Sequence, residues 1–365
     1  MRQALLRRSG RVRRARAVNV AQEGLAPLTV AVNRQIVLAA RPFGFPEISD
    51  FQLAYTSLPT PAEGEVLVRV VYLSLDPYMR GRMNAGDAVS DSIDLGAVMT
   101  GGAVGFVLDS ADPAFQVGDA VEGMLGWQEY AVARGTDLRL LDLDIAPLSA
   151  TLGILGMPGL AAYFGLLDIC HPQAGETVVI SGAAGAVGMV AGQIAKLRGC
   201  RVVGIAGTGA KAAWLLDELG FDATWNYKLG NDFDGKLTAL CPRGVDIYFD
   251  NVGGAITDAV VRHLNPGARM SLCGQISQYN LEAPEHGPRW LDQLIVKQAK
   301  AQGFQVSGYA DRFPEGWEQL TQWLHSGQLK YREDVAQGIE AAPQAFIGML
   351  QGRNEGKQLV QLSDL

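Results

Sequence analysis

The chain has 365 residues, 48% of them hydrophobic, and a formal net charge of −7. That is long enough for two domains with a large buried core, and too long for one simple domain. No Lys/Arg-rich face recurs through its body, so the footprint of a nucleic-acid binder is missing and a small molecule is the expected partner. Cys170, Cys200, Cys241 and Cys273 are far apart, with no C-x-x-C pair and no His at ligand spacing except the adjacent His171. This usage fits a reducing compartment without structural zinc, and the expected location is the cytoplasm. No stretch approaches the unbroken apolar length of a membrane span.

Residues 1–32 differ in kind from the rest. "MRQALLRRSGRVRRARAV" is rich in Arg, and no acid precedes Glu23. An organellar transit peptide has this composition, so targeting stays open beside a disordered extension or a start assigned too early.

From residue 33 to 150 the sequence reads as short strands and turns: "RQIVLAARP", "GEVLVRVVYLSL", "GGAVGFVLDS", "GDAVEGM" and "WQEYAVAR", broken by Pro, Gly and Asp. Spacing of this kind indicates a compact all-β unit. Over 151–310 apolar strand-like runs alternate with helical stretches, among them "ETVVISG" then "GMVAGQIAKLRG", "RVVGIAG" then "AKAAWLLDELG", and "VDIYFDNVG" then "AITDAVVRHL". Repeated β-α calls for a parallel sheet covered by helices, giving an α/β fold class. In 311–365, "GWEQLTQWLHSGQL" reads as a helix and "GKQLVQLSD" as a strand that rejoins the first domain.

Within "SGAAGAVG" the dinucleotide pattern G-x-G-x-x-G falls on Ala183, Gly185 and Gly188, so its first glycine is replaced. The context is stronger than the match: Thr177 to Ile180 supply the strand and Met189 onward the helix. Gly185 is needed where backbone approaches a pyrophosphate, and Gly188 where helix packs on strand, with the helix N-terminus facing the anion. Ala183 is tolerable there if its φ is negative. At the end of the next strand, "GIAGTGAK" has small neutral residues where an NAD site places an acid on the ribose 2′-hydroxyl. A 2′-phosphate is not repelled there, and Lys211 opens the next helix within reach, so the expected cofactor is NADP(H).

Six motifs in order carry a resemblance: "LSLDPYMRGRM", "GMPGLAAYFGLLDI", "GAAGAVG", "YFDNVGG", "CGQISQYN" and "GRNEGK". From about Asn33 onward the chain resembles the zinc-independent, prostaglandin/leukotriene reductase-like branch of the medium-chain dehydrogenase/reductase superfamily, to which alkenal double-bond reductases and curcumin reductases belong. The resemblance implies a GroES-like β domain beside a Rossmann doubly wound parallel-sheet domain, with NADPH in the cleft. It places Gly185, Ala186, Val187 and Gly188 on the pyrophosphate, and Lys211 and Tyr227 on the 2′-phosphate. Asn251 approaches the cofactor from the "DNVGG" strand end. Cys273, Gly274, Ile276, Ser277 and Tyr279 wrap the nicotinamide half, and Phe304, Gln305, Val306 and Asn354 complete the seat. A homodimer is expected.

Zinc alcohol dehydrogenases of the superfamily have a Cys ligand where this chain reads "SLDPYMR" and Gly-His-Glu where it reads "TGGAVGF". Without thiolate or imidazole at those places no Lewis acid is held to polarise a carbinol oxygen, so no metal is expected and alcohol oxidation is disfavoured. The mammalian branch also carries a tyrosine before "GF" where this chain has Val296, so no proton-delivery role transfers to that position.

The implied reaction is reduction of the C=C bond of α,β-unsaturated ketones and aldehydes. It needs hydride at the β-carbon, a hydrogen bond to the developing enolate oxygen, and a proton at the α-carbon. Tyr78 and Tyr279 are the candidate donors, with packed aromatics as the alternative for each; Met157, Tyr309 and Tyr78 are candidate pocket walls. Two rival functions remain, an NADPH quinone reductase on the same fold and a non-catalytic NADPH-binding protein.

Overall fold

The computed structural model describes residues 32–85, 92–230 and 232–364. The Arg-rich leader expected to be separate from the fold lies outside the described residues.

The first half forms a two-stranded antiparallel pair, β1 (Val32–Leu38) and β2 (Phe51–Ser57), and most of a larger sheet. That sheet is built on β3 (Glu65–Ser74), followed after a short helix α1 (Met79–Arg82) by β4 (Ala103–Ser110), β5 (Ala120–Gly123), β6 (Tyr130–Arg134) and β7 (Arg139–Leu140). β3 pairs antiparallel with both β4 and β6.

The second half opens with α2 (Met157–Cys170) and then alternates. In order come β8 (Thr177–Ile180), α3 (Gly188–Leu197), β9 (Arg201–Ala206), α4 (Gly209–Asp217), β10 (Ala223–Asn226) and α5 (Phe233–Leu240). β11 (Val245–Asp250), α6 (Gly254–Arg262), β12 (Leu264–Leu272), α7 (Leu291–Lys297) and β13 (Lys300–Gly303) follow. The six strands run parallel in the order β10-β9-β8-β11-β12-β13. β8 is buried at every position, as expected of a central parallel strand covered on both faces, and its "TVVI" is accordingly β-branched throughout.

The last segment differs from the expected boundary at 311. α8 (Phe313–His325) stays with the second half, because its Leu320 is fully buried in the core that α2, α3 and β8 share. The return to the first sheet begins at β14 (Glu333–Gln337), continues through α9 (Ala342–Leu350) and ends with β15 (Lys357–Gln361), which pairs antiparallel with β3. Phe346 of α9 closes the core of the first domain: its ring lies 5.5 Å from Trp127 and edge-on, while Trp127 stacks on Phe51 at 5.8 Å. Aromatic contacts of this geometry add to the burial of three large rings, so the first domain is completed by the end of the chain. Among the described residues no helix is long and apolar enough to cross a membrane.

Candidate active site

Between the two sheets lies a cleft of about 1400 Å³ that draws residues from both halves of the chain. Its floor is the loop after β8. Gly182 takes the left-handed conformation at φ +57°, and Ala183 is not among the residues with positive φ, so the glycine missing from the sequence pattern is not needed one position later. Gly188 begins α3 so close to this turn that a Cβ would stand 2.4 Å from the Gly182 carbonyl oxygen. The loop residues Gly182 and Ala184 to Gly188 line the cleft where α3 begins, a position that fits a dinucleotide pyrophosphate.

One end of the cleft is cationic. Lys211 on α4 lines it, half-buried, and its Nζ donates to the Gly352 carbonyl at 2.7 Å. Burial and then the neighbouring Lys228 pull the Lys211 ammonium below its ordinary range. Tyr227 lines the same end, with the Lys228 ammonium 5.9 Å from its ring centre. The end of β9 contributes Ile205, Ala206 and Gly207, with no carboxylate. Lys228 went unnoticed in the sequence because nothing local distinguishes it from a solvated lysine after a strand.

The wall opposite the glycine loop is set by a buried acid. Asp250, wholly inaccessible, accepts from the hydroxyls of Ser181, Tyr248 and Thr257 and from the backbone amides of Val252 and Gly253. Asn251 donates from Nδ2 to the Ser181 carbonyl at 2.8 Å, so strand end and glycine loop are held as one piece. Five hydrogen bonds on one carboxylate satisfy it without a cation. From β12 the segment Cys273 to Tyr279 folds over this wall. Burial and then the Asp250 charge push the Cys273 thiol up to about 12, which keeps it neutral inside the cleft.

The other end is phenolic and apolar. Tyr78 lines it just before α1, and among the described residues its hydroxyl has no hydrogen-bond partner. Burial, then the Asp76 carboxylate, push that phenol well above its ordinary value, while Arg82, 5.3 Å above the ring, opposes them. Tyr279 also lines the cleft; its oxygen accepts the Gln275 amide at 3.1 Å, which leaves its proton to donate. Phe45, Met124, Met157 and Leu281 supply apolar surface around these two phenols.

The cleft thus gathers Gly185, Ala186, Val187, Gly188, Lys211, Tyr227, Asn251, Cys273, Gly274, Ile276, Ser277, Tyr279, Phe304, Gln305, Val306, Asn354, Tyr78 and Met157 along one surface. Tyr309 is the correction. It does not line the cleft, because its ring stacks on Phe164 of α2 at 4.7 Å and meets Phe304 edge-on at 6.4 Å. Val296 is on α7, 72% exposed, and does not line the cleft either. Among the described residues no group of three His, Cys, Asp or Glu side chains is placed to hold a metal ion.

Two family models match the chain. "N-terminal domain of oxidoreductase" covers residues 34–141, and "Zinc-binding dehydrogenase" covers residues 186–326. The chain is 44% identical over 336 residues to the NADPH-dependent curcumin reductase of Escherichia coli (strain K12), spanning 91% of this chain and 97% of that protein. It is 43% identical over 337 residues to the NADP(+)-dependent 2-alkenal reductase of Nicotiana tabacum, spanning 91% and 98%. The crystal structure of CurA from Vibrio vulnificus in complex with NADPH superposes with a TM-score of 0.87 at 47% identity, over 91% of this chain and 100% of that one. With both domain models matched and relatives this similar along nearly their whole length, the chain belongs to the zinc-independent reductase branch of the medium-chain dehydrogenase/reductase superfamily.

Proposed function

We propose that this protein uses NADPH to reduce the C=C bond of α,β-unsaturated ketones and aldehydes, adding hydride to the β-carbon. The observation that carries the reading is the polarity of the cleft: the Lys211 ammonium at one end, and the phenols of Tyr78 and Tyr279 beside apolar side chains at the other. Curcumin and 2-alkenal reductases are the activities named for relatives that align over more than nine-tenths of the chain, which supports the same assignment.

Bound NADPH supplies the hydride. The chain's own part is orientation and charge. Lys211, Lys228 and Tyr227 hold the 2′-phosphate, the Gly182–Gly188 turn holds the pyrophosphate, and Tyr78 or Tyr279 donates to the carbonyl oxygen as it gains enolate charge. Met157, Met124 and Phe45 add apolar surface to the same cleft. Incubation with NADPH deuterated at C4 and a simple enone should leave deuterium on the β-carbon and the carbonyl intact by NMR. An allylic alcohol labelled at the carbinol carbon would refute the assignment, and a preference for quinones over enones in the same assay would move it to a quinone reductase. The rate should be unchanged after dialysis against a strong chelator.

The pH profile follows from Tyr78. A phenol whose pKa is raised stays protonated, and so stays a donor, to higher pH than a free tyrosine. Turnover should be level from about pH 7 to about pH 10 and fall only beyond it. An alkaline fall centred below about pH 9 would remove Tyr78 from the donor role.

We further assign the protein to a homodimer in the cytoplasm. β13 is the edge strand of the parallel sheet, and α7 next to it exposes Leu291, Ile295 and Val296 at 68%, 79% and 72%. A bare edge beside an apolar helix face is the surface that a second copy, related by a two-fold axis, covers with itself. Light scattering should give twice the chain mass, and Ile295→Glu with Val296→Glu should halve it; a monomeric parent rejects the dimer. Four unpaired cysteines, three of them buried, support the reducing compartment.

A further inference from the structure

The segment 352–357 is fastened to the cleft at three separate places. At the cationic end the Gly352 carbonyl takes the Lys211 ammonium at 2.7 Å. In the middle Gly356 forms a parallel backbone bridge with Gly185 of the glycine turn, and Asn354 Nδ2 donates to the Gly356 carbonyl at 2.7 Å. At the phenolic end Lys357 Nζ donates to the Leu75 carbonyl and to Asp76 Oδ1, each at 2.8 Å. Six residues therefore connect the phosphate end, the glycine turn and the turn that carries Tyr78.

The third fastening is the one with no packing rationale. Lys357 is only 2% exposed, and Asp76 only 7%. A buried ion pair gains little over a well-packed apolar pair of the same volume, because two charges must leave water, so stability alone gives no reason for it. Its geometry does. The other Asp76 oxygen accepts the Ser74 hydroxyl, and the Asp76 carbonyl accepts the Met79 amide at 3.1 Å, so the carboxylate is locked at the head of the turn. Tyr78 stands two residues on. Directional contacts from Lys357 to both Leu75 and Asp76 fix that turn in a way methylene packing does not.

We infer that Lys357 is a positioning residue: through Asp76 it sets the place of the Tyr78 hydroxyl relative to the glycine turn on which the cofactor rests. The inference depends on the enone-reductase reading and on Tyr78 as the donor. A displacement of the order of 1 Å at a reacting centre lowers turnover about 10²-fold, and a lysine with two fixed acceptors on one turn prevents it.

The test is a double-mutant cycle between Lys357 and Tyr78, read with melting temperature and with NADPH affinity by fluorescence titration. Lys357→Met should lower enone turnover about 10²-fold and leave the NADPH Kd within about threefold of the parent. In a Tyr78→Phe background the same substitution should cost no more than about threefold further, because its effect acts through a hydroxyl already removed. Equal losses in the two backgrounds would overturn the inference and leave the pair a support for the fold alone. If Lys357→Met does not fold, Lys357→Met with Asp76→Asn removes both charges together and is put through the same cycle. That double variant should melt near the parent while turnover stays low; recovery of turnover along with melting temperature would also overturn it. Failure of the underlying reading looks different, since the parent itself would then place no deuterium on the β-carbon.

Discussion

Replacing Tyr78 by phenylalanine should lower enone turnover by roughly 10²-fold or more, with little change in NADPH affinity. The hydroxyl sits in the apolar lobe of the cleft with no described partner, and burial and Asp76 keep it protonated. A donor without a ground-state partner does not have to break a bond when enolate charge appears, so its hydrogen bond is realised in the transition state and its loss falls on kcat. Tyr279→Phe should cost much less. Its oxygen already accepts the Gln275 amide at 3.1 Å, and that bond fixes the phenol against the 273–279 segment, so its loss should raise KM for cofactor before it lowers turnover. Steady-state kinetics on the two variants decide between them: unchanged turnover in Tyr78→Phe with a collapse in Tyr279→Phe would reverse the roles. The β-carbon label should persist in both, because the position of the acceptor carbon is set by the cleft and not by the donor.

The contrast between these two tyrosines also shows what the sequence can hold. Both were legible as residues, through the "DPYMR" and "SQYN" motifs, yet only the fold reveals that one hydroxyl has an amide on it and the other has none. The glycine turn and the alternating βα rhythm were legible because a buried parallel strand is a continuous apolar run and its helix has a period of its own. α2 hid for the opposite reason. It is buried nearly all round, so "GLAAYFGLLDI" has no polar face to give a helical period. β2 hid because four of its seven residues are exposed, and its alternation is weak. Tyr309 reads as a candidate cleft wall in the sequence, and only the fold shows its ring turned onto Phe164. The Lys357 to Asp76 pair spans 281 residues, and no local pattern announces a partner so far along the chain.

Removing the Lys211 side chain should change cofactor choice more than it changes catalysis. Lys211→Ala should lower kcat/KM for NADPH about ten- to hundredfold, the range set by a charge-assisted contact of about 1.5 to 3 kcal/mol. NADH provides the control that this site requires. The Lys211 ammonium also donates to the Gly352 carbonyl, so its removal loosens the 352–357 segment whichever cofactor is bound. The loss seen with NADH therefore measures that fastening alone, and the excess loss with NADPH measures the phosphate contact. Lys228→Ala should cost less, because its ammonium is exposed and water screens it. Yet Lys228 adds to the burial that pulls the Lys211 ammonium below its ordinary range, so the two cations repel each other. The two substitutions should then be non-additive: with Lys228 gone, Lys211 loses a repulsion as well as a helper, and the double variant should fall short of the product of the single losses for NADPH. Parental enzyme using NADH as well as NADPH, or a Lys211→Ala variant with equal losses on both, would show that these lysines do not read the 2′-phosphate.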